Sequence, residues 1–119
     1  MTYQILRHET GRVLEWEAPL RAADQATELI SACIEQDCRL LLLSHPVLPA
    51  DFFELSTRFA GEFLQKLQNY RLRTAVVIDP ERDYGERFGE YLREARRARY
   101  SRLFFDRAAA LAWLDAENS

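Results

Sequence analysis

Residues 39–45 read RLLLLSH and residues 72–78 read LRTAVVI. Neither run alternates apolar with polar residues, so neither suits a sheet with one wet face; both suit strands covered on two sides. A shorter apolar run, Leu103-Phe104-Phe105, follows later in the chain. Between the runs apolar residues recur at three- and four-residue spacing, the mark of helices that bury one face. Strands joined through helices run parallel with right-handed crossovers. The expected fold is therefore α/β, with a mostly parallel sheet and helices on both faces.

Toward the N-terminus, residues 3–8 and 12–17 are rich in β-formers and flank Glu9-Thr10-Gly11, which reads as the turn of an antiparallel hairpin. Alternation in the second segment places Leu14, Trp16 and Ala18 on a core face, with Trp16 as its anchor. Val13, Glu15 and Glu17 fall on the other face, expected to be mostly wet. Ala22, Ala26, Leu29, Ile30, Cys33 and Ile34 then share one helical face that ends near Asp37. Pro46 and Pro49 interrupt the chain, Asp51 offers a carboxylate to a helix start, and one long helix is expected to reach Tyr70. An Asp79-Pro80 turn, a helix over 84–97 carrying Phe88, Tyr91, Leu92 and Ala95, and a closing helix over 108–114 capped by Asp106 complete the order β-β-α-β-α-β-α-β-α. The expectation is a single domain over residues 1–119.

Apolar residues at 48% and charged residues at 29% of 119 describe a folded domain, not a disordered segment. A formal charge of −3 opposes generic attraction to nucleic acid or to an anionic membrane, since both require a basic surface. No apolar run approaches the roughly 18 residues of a membrane span. Cys33 and Cys38 allow at most one bridge, and residues 1–6 lack a signal-like pattern, so a reducing cytoplasm is the expected compartment.

Candidate chemistry is sparse. In parallel sheets ligands favour the crevice beyond the carboxyl ends of the strands, which collects Ser44, His45, Asp79, Glu81, Asp83, Asp106 and Arg107. His45, Asp79 and Asp106 are the residues on which an enzyme or a small-molecule site would rest, although Asp is also the ordinary turn and cap residue at such ends. Cys33, Cys38, His8 and His45 are too few and too poorly spaced for a zinc site, and no metal or cofactor is expected. Gly85-Glu-Arg-Phe-Gly89 lacks the remaining features of a phosphate loop. Arg93, Arg96, Arg97, Arg99 and Arg102 form a basic cluster that suits either a helix C-terminus or contact with a phosphate, a nucleic acid or an acidic partner.

The long helix is the most informative element. Advancing about 100° per residue from Thr57 puts Gly61, Glu54, Gln65, Arg58, Asn69 and Glu62 across one half, with Lys66 at its edge. Phe59, Phe63, Leu67, Ala60 and Leu64 fill the other half, and Ser56 falls among them, bonded back to the Phe52 carbonyl.

The stretch from Leu40 to Pro80, followed by Tyr91-LREARRARYSRLFFD and Ala110-LAWL, resembles the bacterial family known as domain of unknown function DUF4180, over residues 5–114. Its most specific part is Phe52-Phe53, Leu55, Thr57, Ala60-Gly61-Glu62, Leu64-Gln65-Lys66 and Asn69-Tyr70. The family tends to place Gly where this chain has Arg58, and a Glu-x-Asn-Arg-Gly turn where it has Glu94-Ala-Arg96-Arg97-Ala98. The element order also resembles the STAS/SpoIIAA-like regulatory architecture, without an Asp-Ser-Ser/Ala-Gly motif at His45-Pro-Val-Leu-Pro49. The absence of a reaction constellation, the regulatory-type architecture and the two-faced helix together point to a non-enzymatic regulatory or protein-interaction module. Thr57, Gly61, Glu62, Gln65, Lys66 and Asn69 would contact a partner protein or a second copy, because core packing does not require them.

Overall fold

In the computed structural model, which describes residues 2–8, 11–95 and 99–118, five strands form one sheet in the order β1-β2-β3-β4-β5. Strand β1 (Tyr3–His8) pairs antiparallel with β2 (Gly11–Trp16). Strands β3 (Leu40–Ser44), β4 (Arg73–Val77) and β5 (Ser101–Phe104) continue in parallel from β2. The three runs expected to be parallel are so, and the hairpin is where the antiparallel strand enters. Glu9 and Thr10 of its turn, and Arg96 and Arg97 of the basic cluster, lie outside the described residues.

Helices α1 (Ala26–Glu35), α2 (Ala50–Phe53), α3 (Phe59–Asn69) and α4 (Glu86–Ala95) pack on one face. Among the described residues only α5 (Arg107–Asn118) covers the other. Strand β3 shows why its run does not alternate: Leu41 and Leu43 join Leu29, Phe63, Leu67 and Phe88 in the larger core, while Leu40 and Leu42 join Ala110 and Leu114 beneath α5. Both faces are dry, so both need apolar residues. In the larger core Phe53 stacks on Tyr84 at 4.7 Å and meets Phe88 edge-on at 5.3 Å. Such ring pairs add about 0.5–1.5 kcal/mol beyond burial and tie α2 to α4.

Four expectations are corrected. The face of β2 expected to be mostly wet is buried at Val13 and Glu15, because α5 lies across it. The helix expected to run unbroken to Tyr70 is divided: α2 stops at Phe53, a 3-10 turn spans Leu55–Thr57, and Arg58 takes a left-handed φ of 62° before α3 begins. Ser56 consequently stands exposed in that turn and not among the apolar residues. At the end of α1, Ile34 is exposed, since the core lies against Ile30 and Cys33.

Candidate interaction surface

Helix α1 leads into β3 and α3 leads into β4, so both helices end at the amino edge of the parallel strands. Each closes in the same way. Asp37 and Arg71 take positive φ of 50° and 59°. The Cys38 N–H then donates to the Cys33 carbonyl at 2.9 Å, and the Leu72 N–H to the Leu67 carbonyl at 3.2 Å. These are Schellman closures, which satisfy carbonyls that the helix end leaves free. Arg12 adds a further donor, its Nη2 bonding the Gln36 carbonyl at 2.6 Å.

The two matched ends leave a groove between them. Ile30, Ser31 and Ile34 of α1 face Lys66, Asn69 and Tyr70 across about 340 Å³. A second hollow of about 220 Å³ continues from Ile30, Ile34 and Tyr70 toward Asp37, Arg39 and Leu72. Ile34 is 67% exposed and Tyr70 59%, the two most exposed large apolar side chains among the described residues. Isolated exposed apolar residues need no explanation, but two lining one groove form a contiguous patch of the kind that marks an interaction site.

The structure divides the sequence-predicted residues. Lys66 and Asn69 line the groove. Gln65 lies one step outward and donates from Nε2 to the Asn69 Oδ1 at 2.9 Å, fixing the side chain on the rim. Glu62 and Gly61 are exposed, and no atom of the chain lies within 4 Å of the position a Gly61 Cβ would take. Thr57 belongs elsewhere: its hydroxyl bonds the Asp51 and Glu54 carbonyls, both at 2.7 Å, and accepts from the Phe59 N–H at 3.2 Å. It sits in the 3-10 turn that precedes α3 and is not on the helix face. Ile34, Tyr70 and Ser31 were missed because a search for polar residues on one helix does not see the facing helix. The signal available in the sequence was Tyr70, an aromatic at the end of a polar-edged face.

At the opposite, carboxyl edge the residues proposed as an alternative site serve the backbone. Asp79 Oδ1 accepts from the Glu81 N–H at 2.9 Å, and Asp83 Oδ1 from the Gly85 N–H at 2.9 Å. Asp106 accepts from the Ala108 and Ala109 N–H groups at 3.3 Å, capping α5 as expected. His45 is exposed in a 3-10 turn, and no hydrogen bond or ion pair joins it to Asp79 or Asp106 among the described residues.

What this edge does assemble is a charge pair. Arg107 reaches from the first turn of α5 to Glu15, with Nη1 on Oε2 at 2.7 Å and Nη2 on Oε1 at 2.8 Å. Gln4 Nε2 donates to the Glu15 Oε1 at 3.0 Å. The Arg107 hydrogen bonds hold the Glu15 carboxyl below its ordinary value despite burial, which pushes the other way. A carboxylate with its acceptors so occupied is poorly placed to take a proton from a substrate. Cys33 is equally inert, since burial pushes its thiol up to about 12. Among the described residues no three His, Cys, Asp or Glu side chains gather as a metal site, and no helix is long and apolar enough to cross a membrane.

The class defined by fold and surface is an α/β domain with a mixed five-stranded sheet and an apolar groove between two helix ends. The model of the family called domain of unknown function DUF4180 matches residues 8–114, and the chain belongs to that family. No curated protein matches the chain.

Proposed function

We propose that the protein is a non-enzymatic regulatory module of the bacterial cytoplasm that docks a partner protein across the groove between α1 and α3. The observation that carries this reading is the pairing of exposed Ile34 with exposed Tyr70 beside Lys66 and Asn69. An apolar centre with a polar rim is the anatomy of a protein-binding patch. The element order is similar to the STAS/SpoIIAA-like architecture, which supports a regulatory role by analogy of fold alone. The alternative of a small-molecule or catalytic site at the carboxyl edge gains no support from His45, Asp79 or Asp106, which converge on nothing.

The test is an Ile34→Asp, Tyr70→Ala double variant beside a Lys66→Ala, Asn69→Ala variant, compared with the parent for melting temperature and for the proteins each retains from the native host. Both should melt near the parent, because exposed positions are worth under about 0.5 kcal/mol, and both should lose the same specific partner. Retention of every partner by folded variants overturns the reading. So does a metabolite that raises the melting temperature of parent and variants alike, since that places a tight site elsewhere.

A further inference from the structure

The sheet has two outer edges, β1 and β5, and among the described residues no strand pairs with the outer side of either. They are not alike. Strand β5 is four residues long, and shortness is one way natural sheets keep an edge from pairing. Strand β1, YQILRH, runs for six residues in unbroken register with β2, without a proline, a lysine or a bulge. Which backbone groups it presents follows from its ladder. The Glu17 N–H donates to the Thr2 carbonyl at 2.7 Å, so Thr2 turns toward β2. In an antiparallel ladder residues alternate between the two sides. Gln4, Leu6 and His8 therefore also turn toward β2, and the backbone N–H and C=O groups of Tyr3, Ile5 and Arg7 point out from the edge.

The side chains of the same three residues share a face. Tyr3 and Ile5 pack against the larger core, and alternation puts Arg7 in line with them. Within the hairpin Arg7 stands directly opposite Arg12, a like-charge pairing that costs stability. Arg12 is held by the Gln36 and Asp37 carbonyls at the end of α1. Arg7 is exposed, and among the described residues no hydrogen bond, ion pair or ring contact engages its side chain. Tyr3 stacks one ring face against Trp16 of β2, with centroids 6.2 Å apart and planes 17° from parallel. Its other face is turned toward the open edge.

We propose that two copies of this chain pair through β1, antiparallel about a two-fold axis at Ile5, and so form one continuous sheet. This register sets Ile5 against the partner's Ile5 and Tyr3 against the partner's Arg7, so that each outward N–H meets an outward carbonyl. It also brings Arg7 to the outward ring face of the partner's Tyr3, a cation–π contact made twice by symmetry. The two Arg7 side chains stay roughly 14 Å apart along the strands. A second copy is the occupant that this edge favours because the strand complements itself: the apolar residue meets its equal, and the unpaired cation meets an aromatic face.

The test is sedimentation equilibrium of the parent chain up to about 1 mM, with amide exchange followed by NMR at low and high concentration. A dimer should form, and exchange at Tyr3, Ile5 and Arg7 should slow as it does, while Leu103 on β5 stays unchanged. Arg7→Glu removes both ring contacts and should weaken the dimer roughly tenfold. It also gives Arg12 an opposite charge, so its melting temperature in dilute solution should not fall. Ile5→Pro deletes an outward N–H without touching the β2 ladder and should leave a monomer; if that variant fails to fold, Arg7→Glu and the exchange pattern decide. The Ile34→Asp, Tyr70→Ala variant should dimerise as the parent does, since the groove between α1 and α3 takes no part. A parent that stays monomeric throughout, a dimer unaffected by Arg7→Glu or by a folded Ile5→Pro, protection along β5 in place of β1, or a dimer lost in the Ile34→Asp, Tyr70→Ala variant would each overturn the proposal.

Discussion

Arg58 joins Asp37 and Arg71 as a non-glycine residue with a left-handed backbone, and unlike them it stands before a helix and not after one. Its φ of 62° joins the 3-10 turn at Leu55–Thr57 to α3, and a non-glycine residue pays about 1–2 kcal/mol for the left-handed region. Arg58→Gly should raise stability by about 1 kcal/mol once the greater freedom of glycine in the unfolded chain is subtracted. The readout is the urea midpoint at constant slope, and a fall would mean that the arginine side chain holds something the backbone argument omits. Thr74 offers a second case, being fully buried on β4 with no partner for Oγ1. Thr74→Val keeps the volume and removes an unsatisfied hydroxyl, so a gain of about 1 kcal/mol is expected in the same assay. The Arg58 bend was half legible. Apolar residues keep helical phase from Phe52 through Phe59 and Phe63, so periodicity runs straight across the break. The clue was chemical: the resemblance to the family implies Gly at this position, and Gly is the residue that a left-handed turn favours.

The element that periodicity misjudged most is α5. Strand β2 alternates correctly, but alternation says only which residues share a face, not whether that face is covered. Glu15 and its Arg107 partner are 92 residues apart, and no local pattern announces a contact at that distance. The unalternating β3 and β4 runs, by contrast, demanded cover on both sides and were legible for that reason. The groove was legible only on α3, since Ile34 was assigned to the core by helical spacing that does not know where the facing helix ends. The ion pair carries a pH signature. Glu15 has a lowered value in the folded protein, so the unfolded chain binds more protons and stability rises with pH. Its contribution is complete above about 4.3, the ordinary Glu value, and disappears as pH falls through the lower folded value. Glu15→Gln should cost about 1–3 kcal/mol at neutral pH, less than a fully buried pair because the Arg107 side chain is 46% exposed. The gap between parent and variant should close as the solution is acidified below about pH 4. A gap independent of pH would show that packing, not charge, is what the substitution disturbs.

At the scale of the whole molecule the sheet is covered unequally. On one face α3 alone buries Phe59, Ala60, Phe63, Leu64 and Leu67, and α1, α2 and α4 add Leu29, Phe52 and Phe88. On the other face, among the described side chains, α5 buries only Ala110 and Leu114, with Leu111 and Trp113 half-covered. Burial of a large apolar side chain contributes about 1.5–3 kcal/mol, so the larger core holds most of the stability and α5 is held by a small share of it plus the Glu15 pair. Cooperative units with few buried contacts open before the rest. Native-state hydrogen exchange should therefore divide the amides in two. Those of β3, β4 and α3 should exchange only through global unfolding, with a free energy that tracks denaturant as the equilibrium transition does. Those of α5 should exchange through a smaller opening, and Glu15→Gln should lower that opening free energy while the Phe63→Ala variant, which empties the larger core at a cost of about 3–5 kcal/mol, lowers the global one. A single free energy shared by α5 and β3 would refute the division, because it would mean that the thin layer beneath α5 is as tightly coupled to the fold as the thick one opposite.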